Sequence, residues 1–92
     1  MKAKIWNYSV WINECDPRVL KSHFEEILKK SGFKILDIME HYFEPQGYTA
    51  VFLLAESHLA IHTFPECNKT YLELSSCNLE YYVRFIGITK DL

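Results

Sequence analysis

Residues 55–66 read AESHLAIHTFPE and combine a strand-like pattern with a serine, two histidines and two carboxylates. Within it His58, His62 and Phe64 alternate with other residues, and a period of two is typical of a β-strand, whose successive side chains lie on opposite faces. We therefore predict a strand with both histidines and the phenylalanine on one face. Ser57 lies at the start of that strand. Residue types alone make Ser57 a candidate nucleophile and His62 its base, although two sheet histidines and an ordinary turn serine explain the same pattern.

An amphipathic helix is predicted upstream of this strand. Asp16 is suited to cap its N-terminus, Pro17 to occupy its first turn, and Gly32 to end it after about Ser31. Apolar residues recur at helical spacing and predict a buried stripe. The stripe consists of Val19, Leu20, Phe24, Ile27 and Leu28.

Several further segments have strand-like patterns, and their order with the helix predicts an α+β fold in which one main helix covers an antiparallel sheet. The segment from 49 to 55 is nearly all apolar, as expected of a central strand buried on both faces. The other predicted strands are 4–12, with Trp6, Tyr8, Val10 and Ile12 on one face, 33–43 before a turn at 45–47, 70–77, and 81–88. One helical turn at 79–82 is an alternative for the start of the last of these.

Length and composition indicate one domain over residues 1–92 and favour self-association. Hydrophobic residues make up 49% and aromatic residues 15% of the chain, more than one helix on one sheet could cover, so we expect an oligomer. The net charge of -2 includes no basic patch for nucleic acid, and no run approaches the roughly 20 apolar residues of a membrane span. Without a signal peptide pattern, we expect a cytoplasmic protein with three reduced cysteines.

Three segments of the sequence carry a specific resemblance: Phe43–Gly47, Leu54–Leu59 and Ile61–Glu66. They resemble the short, prokaryotic-type S-adenosylmethionine decarboxylase proenzymes, and the similarity extends in register to residues 14–17 and to Ser76-Cys77. The resemblance implies a homodimer in which the sheets of two protomers pack face to face with the helices outside.

The resemblance also implies that the chain cuts its own backbone. The cut would fall between Glu56 and Ser57, giving fragments 1–56 and 57–92 and converting Ser57 into a pyruvoyl cofactor. His62 matches the family's processing base, and Thr49 matches its processing hydroxyl, which is usually a serine. In the family, the pyruvoyl carbonyl holds the substrate amine as a Schiff base and accepts the electrons that decarboxylation releases.

The remaining positions imply S-adenosylmethionine as the substrate, whose decarboxylated product serves spermidine and other polyamine synthesis. Cys77 matches the family's proton donor, which an apolar site would keep as a thiol, although an isolated cysteine is more often a small buried hydrophobe. Phe43 and Phe64 match the adenine-stacking aromatics, the second usually a tryptophan, and Glu66 matches the carboxylate that binds the ribose hydroxyls. A relative acting on ornithine or arginine, and a regulatory homologue that does not process itself, remain alternative hypotheses.

Several positions depart from the family pattern, and the possible metal ligands do not have the spacing of a typical site. The loop at 67–70 lacks the usual aromatic and glycine, Asn78 replaces the glycine after the cysteine, and only fifteen residues follow Cys77. We therefore expect the second helical cover of the sheet to be lost or replaced by a different quaternary arrangement. His58, His62, Cys67 and Cys77 are spaced too loosely for a typical zinc site, so no metal is predicted.

Overall fold

The computed structural model describes residues 3–91 and has the predicted α+β architecture. The elements are β1 (Trp6–Ile12), α1 (Pro17–Ser31), β2 (Ile35–Tyr42), β3 (Tyr48–Leu54), β4 (Ser57–Phe64), β5 (Lys69–Ser76) and α2 (Leu79–Thr89). The five strands form one antiparallel sheet in the order β1-β5-β4-β3-β2, so that β4 is the central strand. A short 3-10 turn over Pro65–Cys67 connects β4 to β5.

Helix α1 begins and ends where local chemistry predicted. Asp16 accepts a hydrogen bond from the Arg18 N–H at 2.9 Å, and Gly32 ends the helix in the left-handed conformation with φ 109. The predicted stripe is buried except for Val19, which is 43% exposed because it lies to one side of the face that meets the sheet. Leu20, Phe24, Ile27 and Leu28 form the buried part of the stripe.

The prediction of a strand over 81–88 is wrong, because these residues form most of helix α2. Tyr81, Phe85 and Thr89 are spaced by four, and this spacing turns all three toward the core, Phe85 fully buried. Asn78 caps the helix by accepting from the Tyr81 N–H at 3.0 Å. The second helical cover is therefore present, and α2 packs beside α1 with the rings of Phe24 and Phe85 6.3 Å apart.

Only one face of the sheet is covered by the helices. The uncovered face, called the open face below, carries the alternate residues of every strand, so the prediction that β3 is buried on both faces is wrong for the chain alone. Leu53 on β3 is 50% exposed and Met39 on β2 is 73% exposed. Across its middle and one end, the open face carries Ser9, Trp11, Met39, His41, Thr49, Val51, Leu53, Ala60, His62, Phe64, Tyr71 and Glu73.

A polar link behind β3 holds this strand in place from the helix side. The buried Tyr48 hydroxyl donates to Glu40 at 2.7 Å, and Lys21 of α1 lies 3.5 Å from the same carboxylate. Burial and the Glu40 carboxylate raise the pKa of Tyr48. The Tyr48 N–H in turn donates to the Thr63 hydroxyl at 2.9 Å, which fixes the end of β3 against β4.

Neither helix within residues 3–91 has the length and apolar character required to cross a bilayer.

Candidate active site

A cleft of about 300 Å³ lies at one end of the open face. All five residues that were expected to bind substrate or to assist processing at this end line it: Phe43, Thr49, His62, Phe64 and Glu66. Their association follows from the strand register, because β3 and β4 are antiparallel neighbours and Phe43 precedes the turn that leads into β3.

Thr49 and His62 form a direct pair across β3 and β4. The two residues are opposite each other in the ladder, and Thr49 Oγ1 lies 2.9 Å from His62 Nδ1. When Nδ1 carries the proton and donates it to the hydroxyl oxygen, Nε2 is left with a free lone pair. The pair can therefore present His62 as a base directed away from Thr49.

Two phenylalanines form the aromatic walls of the cleft. Phe43 is 49% exposed and Phe64 is 41% exposed, so both rings offer surface to a ligand. The Phe43 N–H donates to the Gly47 carbonyl at 2.9 Å, and this closes the intervening turn. Gly47 has φ 112, a conformation that L side chains rarely adopt, so this position favours glycine.

Glu66 reaches the cleft from the 3-10 turn that follows β4. The loop that follows this turn departs from the family sequence, but like the turn at Gly47 it contains a residue in the left-handed conformation. Asn68 has φ 53, and asparagine tolerates this left-handed conformation better than most residues. Its N–H donates to the Pro65 carbonyl at 3.1 Å, which holds the turn carrying Glu66.

The predicted cleavage point lies at the other end of β4, in the tight turn between β3 and β4. Glu56 has φ 58, a left-handed conformation that costs a residue with a side chain about 1–2 kcal/mol. The next residue, Ser57, is only 7% exposed, and its hydroxyl accepts a hydrogen bond from the Cys77 N–H at 3.2 Å. The strained backbone at Glu56 is therefore followed directly by a serine hydroxyl whose position is fixed by a hydrogen bond.

Cys77 lies beside Ser57 but its side chain is exposed, so the expectation of an apolar shelter is wrong for the chain alone. The backbone around it is well fixed. The buried Ser76 hydroxyl donates to the Asn78 carbonyl at 3.0 Å and accepts from the Asn78 N–H at 3.1 Å. Asn78 is extended with φ -113 and caps α2, so no glycine is needed after the cysteine.

The two ends do not meet within one chain. Ser57 and His62 are five residues apart on β4, which separates them by about 16 Å, and the alternation of the strand turns them to opposite faces. Ser57 shares the core face with Leu59, whereas His62 shares the open face with His58. The sequence-based pairing of Ser57 with His62 as its base is therefore wrong within a single chain.

The sequence interpretation missed Gln46, Gly47 and Thr63, which also line the cleft. Gln46 and Gly47 could have been identified from the sequence, because they belong to the turn at 43–47 that carries the resemblance. Within residues 3–91, no group of three or more His, Cys, Asp or Glu side chains is arranged to hold a metal ion. The three cysteines of the described chain are free thiols.

Sequence comparisons identify relatives of this chain. The family model described as S-adenosylmethionine decarboxylase matches residues 12–86. The S-adenosylmethionine decarboxylase proenzyme of Parasynechococcus marenigrum is 37% identical over 70 residues, which are 70% of this chain and 55% of that protein. The proenzyme of Prochlorococcus marinus is 40% identical over 62 residues, which are 67% of this chain and 50% of that protein. The chain thus spans about half the length of these curated relatives.

A solved structure has the same fold. It is the adenosylmethionine decarboxylase of Aquifex aeolicus, which superimposes with a TM-score of 0.75 at 21% identity and covers 95% of this chain and 78% of its own. At that identity the likeness concerns the fold. The family match over most of the chain decides the assignment: the protein belongs to the S-adenosylmethionine decarboxylase family.

Proposed function

We propose that this chain is the precursor of a pyruvoyl-dependent decarboxylase that cuts itself between Glu56 and Ser57 and then acts on S-adenosylmethionine. The observation that carries the proposal is the turn before β4. There a left-handed Glu56 precedes a buried Ser57, whose hydroxyl is held by the Cys77 N–H. The linkage expected to break, the nucleophile and the expected proton donor are thus adjacent.

The cleavage uses the backbone of the chain itself. Ser57 Oγ attacks the Glu56 carbonyl carbon, a C–O bond forms, the C–N bond breaks, and the hydroxyl proton passes to the Ser57 nitrogen. Exchange of an amide for an ester is uphill, and the strain at Glu56 offsets part of that cost. Removal of the Ser57 α-proton then expels the Glu56 carboxylate and leaves a dehydroalanine, which water hydrolyses to the keto group with release of ammonia.

The base for the α-proton comes, in this proposal, from a second copy of the chain. His62 carries the Thr49 partner expected of a processing base, but it is about 16 Å from Ser57 of its own chain. A two-fold pairing of open faces with its axis across the strands runs the two β4 strands in opposite directions and carries the His62 end of one copy toward the Ser57 end of the other. The group that His62 has to reach there is the α-hydrogen of Ser57, because the Ser57 hydroxyl lies on the core side. Each homodimer then has two composite sites.

The open face has the composition that such a dimer requires. Met39, Val51 and Leu53 line an apolar depression of about 250 Å³ between the two site halves, with Asp37 at its side. Met39 is 73% exposed and Leu53 is 50% exposed, although both are large and hydrophobic. Their burial against a second copy would remove apolar surface from water, at roughly 25 cal/mol per Å². The same contact would shelter the exposed Cys77 thiol.

The residues around position 57 fit a pyruvoyl group. Residue 57 is nearly buried, and the Cys77 N–H already donates to an oxygen of that residue. A pyruvoyl group at this position would supply a carbonyl that captures the substrate amine and withdraws electrons from the carbon bearing the carboxylate. Cys77 would hold the proton that the product carbon receives, and Ser76 would fix the loop that carries this cysteine.

The cleft favours a nucleoside substrate over a simple amino acid. Phe43 and Phe64 offer two exposed rings for a purine, and Glu66 offers carboxylate oxygens for ribose hydroxyls. Aromatic faces also attract a sulfonium cation. Ornithine has no planar group for these rings, and arginine has only a guanidinium, which is smaller than a purine, and neither has ribose hydroxyls for Glu66. We therefore assign S-adenosylmethionine as the substrate and decarboxylated S-adenosylmethionine, a precursor for polyamine synthesis, as the product.

Intact-mass measurement of the purified chain tests the proposal, with Ser57→Ala as the matched control. We expect the unchanged chain to separate into fragments 1–56 and 57–92, the second beginning with a keto group, and Ser57→Ala to stay whole. Carbon dioxide release should then occur with S-adenosylmethionine and not with ornithine or arginine. A chain that stays whole after long incubation as a dimer would instead be the regulatory homologue.

A further inference from the structure

We infer that Trp11 is a positioning residue for the ligand cleft, because its indole braces Phe64 from outside. The inference rests on the proposed function, since it assigns Phe64 to the binding of an adenosine group. Nothing in the resemblance that assigns the cleft residues involves Trp11. The assignment depends on the geometry of the open face.

Trp11 lies on β1, two strands away from Phe64 on β4. Its cross-strand partner is Tyr71 on the intervening strand β5, and the two rings are 5.1 Å apart with planes at 53°. The indole extends past Tyr71 to lie 5.7 Å from the Phe64 ring with planes at 50°. Both separations fall in the range in which aromatic pairs attract each other.

This contact supports the side of Phe64 that does not face the cleft. Phe64 is 41% exposed and lies at the end of β4, where the ladder no longer holds its neighbours on both sides. An exposed ring at a strand end can change rotamer, and ordering it on binding costs free energy. The indole of Trp11 restricts that freedom before the ligand arrives, because it fills the space over β5 into which the ring would turn.

The exposure of Trp11 makes bracing of the neighbouring rings its main contribution. Its side chain is 55% exposed and lies on the open face, whereas Trp6 of the same strand points to the helix side and is half-buried. An exposed indole contributes little to the core. Trp6, the other tryptophan of the chain, packs on the helix side of β1 and is therefore a suitable control for Trp11.

The test compares Trp11→Ala and Trp11→Phe with Trp6→Phe, all in the uncleaved Ser57→Ala chain. The probe is 5′-methylthioadenosine, which carries the adenosine group without the amino acid, and its Kd is measured by equilibrium dialysis. We expect Trp11→Ala to raise the Kd by about 3- to 10-fold, the scale of one aromatic pair. Trp11→Phe should recover most of the affinity, and Trp6→Phe should bind like the parent chain.

A second readout uses the Trp6→Phe chain, in which Trp11 is the remaining tryptophan. Its emission should change on addition of 5′-methylthioadenosine, because the ligand meets the ring that Trp11 contacts. An unchanged Kd in Trp11→Ala overturns the inference while the proposed function stands. A Trp11→Ala chain that loses its dimeric state would make Trp11 an interface residue, which also overturns it. A parent chain that does not bind the probe removes the proposed substrate and the inference together.

Discussion

Ser57 and His62 lie on the same strand, yet their side chains occupy opposite faces and opposite ends of it. The buried Ser57 hydroxyl belongs to the core side, and the His62 imidazole belongs to the open face beside Thr49. This arrangement excludes a direct contact between the two within one chain. In the mechanism proposed above, a second copy of the chain therefore supplies the His62 that completes the site.

The Thr49 hydroxyl should be required for fast processing, whereas its methyl group should not. Thr49→Val keeps the shape of the side chain but removes the oxygen that lies 2.9 Å from His62 Nδ1. We expect cleavage of Thr49→Val to be slower by about 10- to 100-fold, since the imidazole loses the partner that sets its tautomer. Thr49→Ser retains the oxygen and should cleave at least as fast as the parent chain. The measurement is the rate of fragment appearance on a denaturing gel, and equal rates for Val and Ser would contradict the role of the hydroxyl.

The backbone at Glu56 should be a source of strain that glycine relieves. Glu56→Gly and Glu56→Ala both lack the carboxylate, but only glycine adopts φ 58 without penalty. In the uncleaved Ser57→Ala background, we expect Glu56→Gly to exceed Glu56→Ala in the free energy of unfolding by about 1 kcal/mol. Urea denaturation measures the difference. If strain assists cleavage, the Gly variant with Ser57 intact should also process more slowly than the Ala variant.

The Tyr48 phenol should make stability depend on alkaline pH. Burial, followed by the Glu40 carboxylate, raises the pKa of Tyr48 in the folded chain. The unfolded chain therefore loses this proton first, so the contribution of Tyr48 is full below about pH 10 and declines as the pH rises above it.

Tyr48→Phe isolates this contribution. At neutral pH the variant should lose about 1.5 kcal/mol, because the 2.7 Å hydrogen bond to Glu40 is absent. Its stability should fall less steeply above about pH 10 than that of the parent chain. Urea midpoints at neutral and alkaline pH measure both effects. If the stability of the two chains declines in parallel above about pH 10, Tyr48 does not cause the pH dependence.

The elements whose ends are set by local chemistry could be predicted from the sequence. Asp16 and Gly32 fix the ends of α1 by contacts within a few residues, and the alternation through His62 fixes β4. Helix α2 was missed because aromatic and β-branched residues from 81 to 88 have strand propensity. The four-residue spacing of Tyr81 and Phe85 was the available helical signal, and their packing on α1 decides the outcome.

The residue types of the candidate site came from the resemblance, whereas their arrangement did not. The register of β3 and β4 brings Thr49 to His62, a contact that the sequence alone did not predict. The same alternation that placed two histidines on one face also places Ser57 on the other. The sequence indicated self-association, but the distance between Ser57 and His62 within one chain became apparent only from the fold.

Co-expression of two inactive variants tests whether Ser57 of one copy is processed by His62 of the other. Ser57→Ala cannot be cut, and His62→Ala lacks the base, so neither should process alone. In a mixed dimer, Ser57 of the His62→Ala chain meets His62 of the Ser57→Ala chain, and one complete site results. We predict that intact-mass measurement will detect fragment 57–92 carrying alanine at position 62 in the co-expressed sample and in neither variant alone. If no such fragment forms while the unchanged chain cleaves under the same conditions, the account of a site shared between two copies is contradicted.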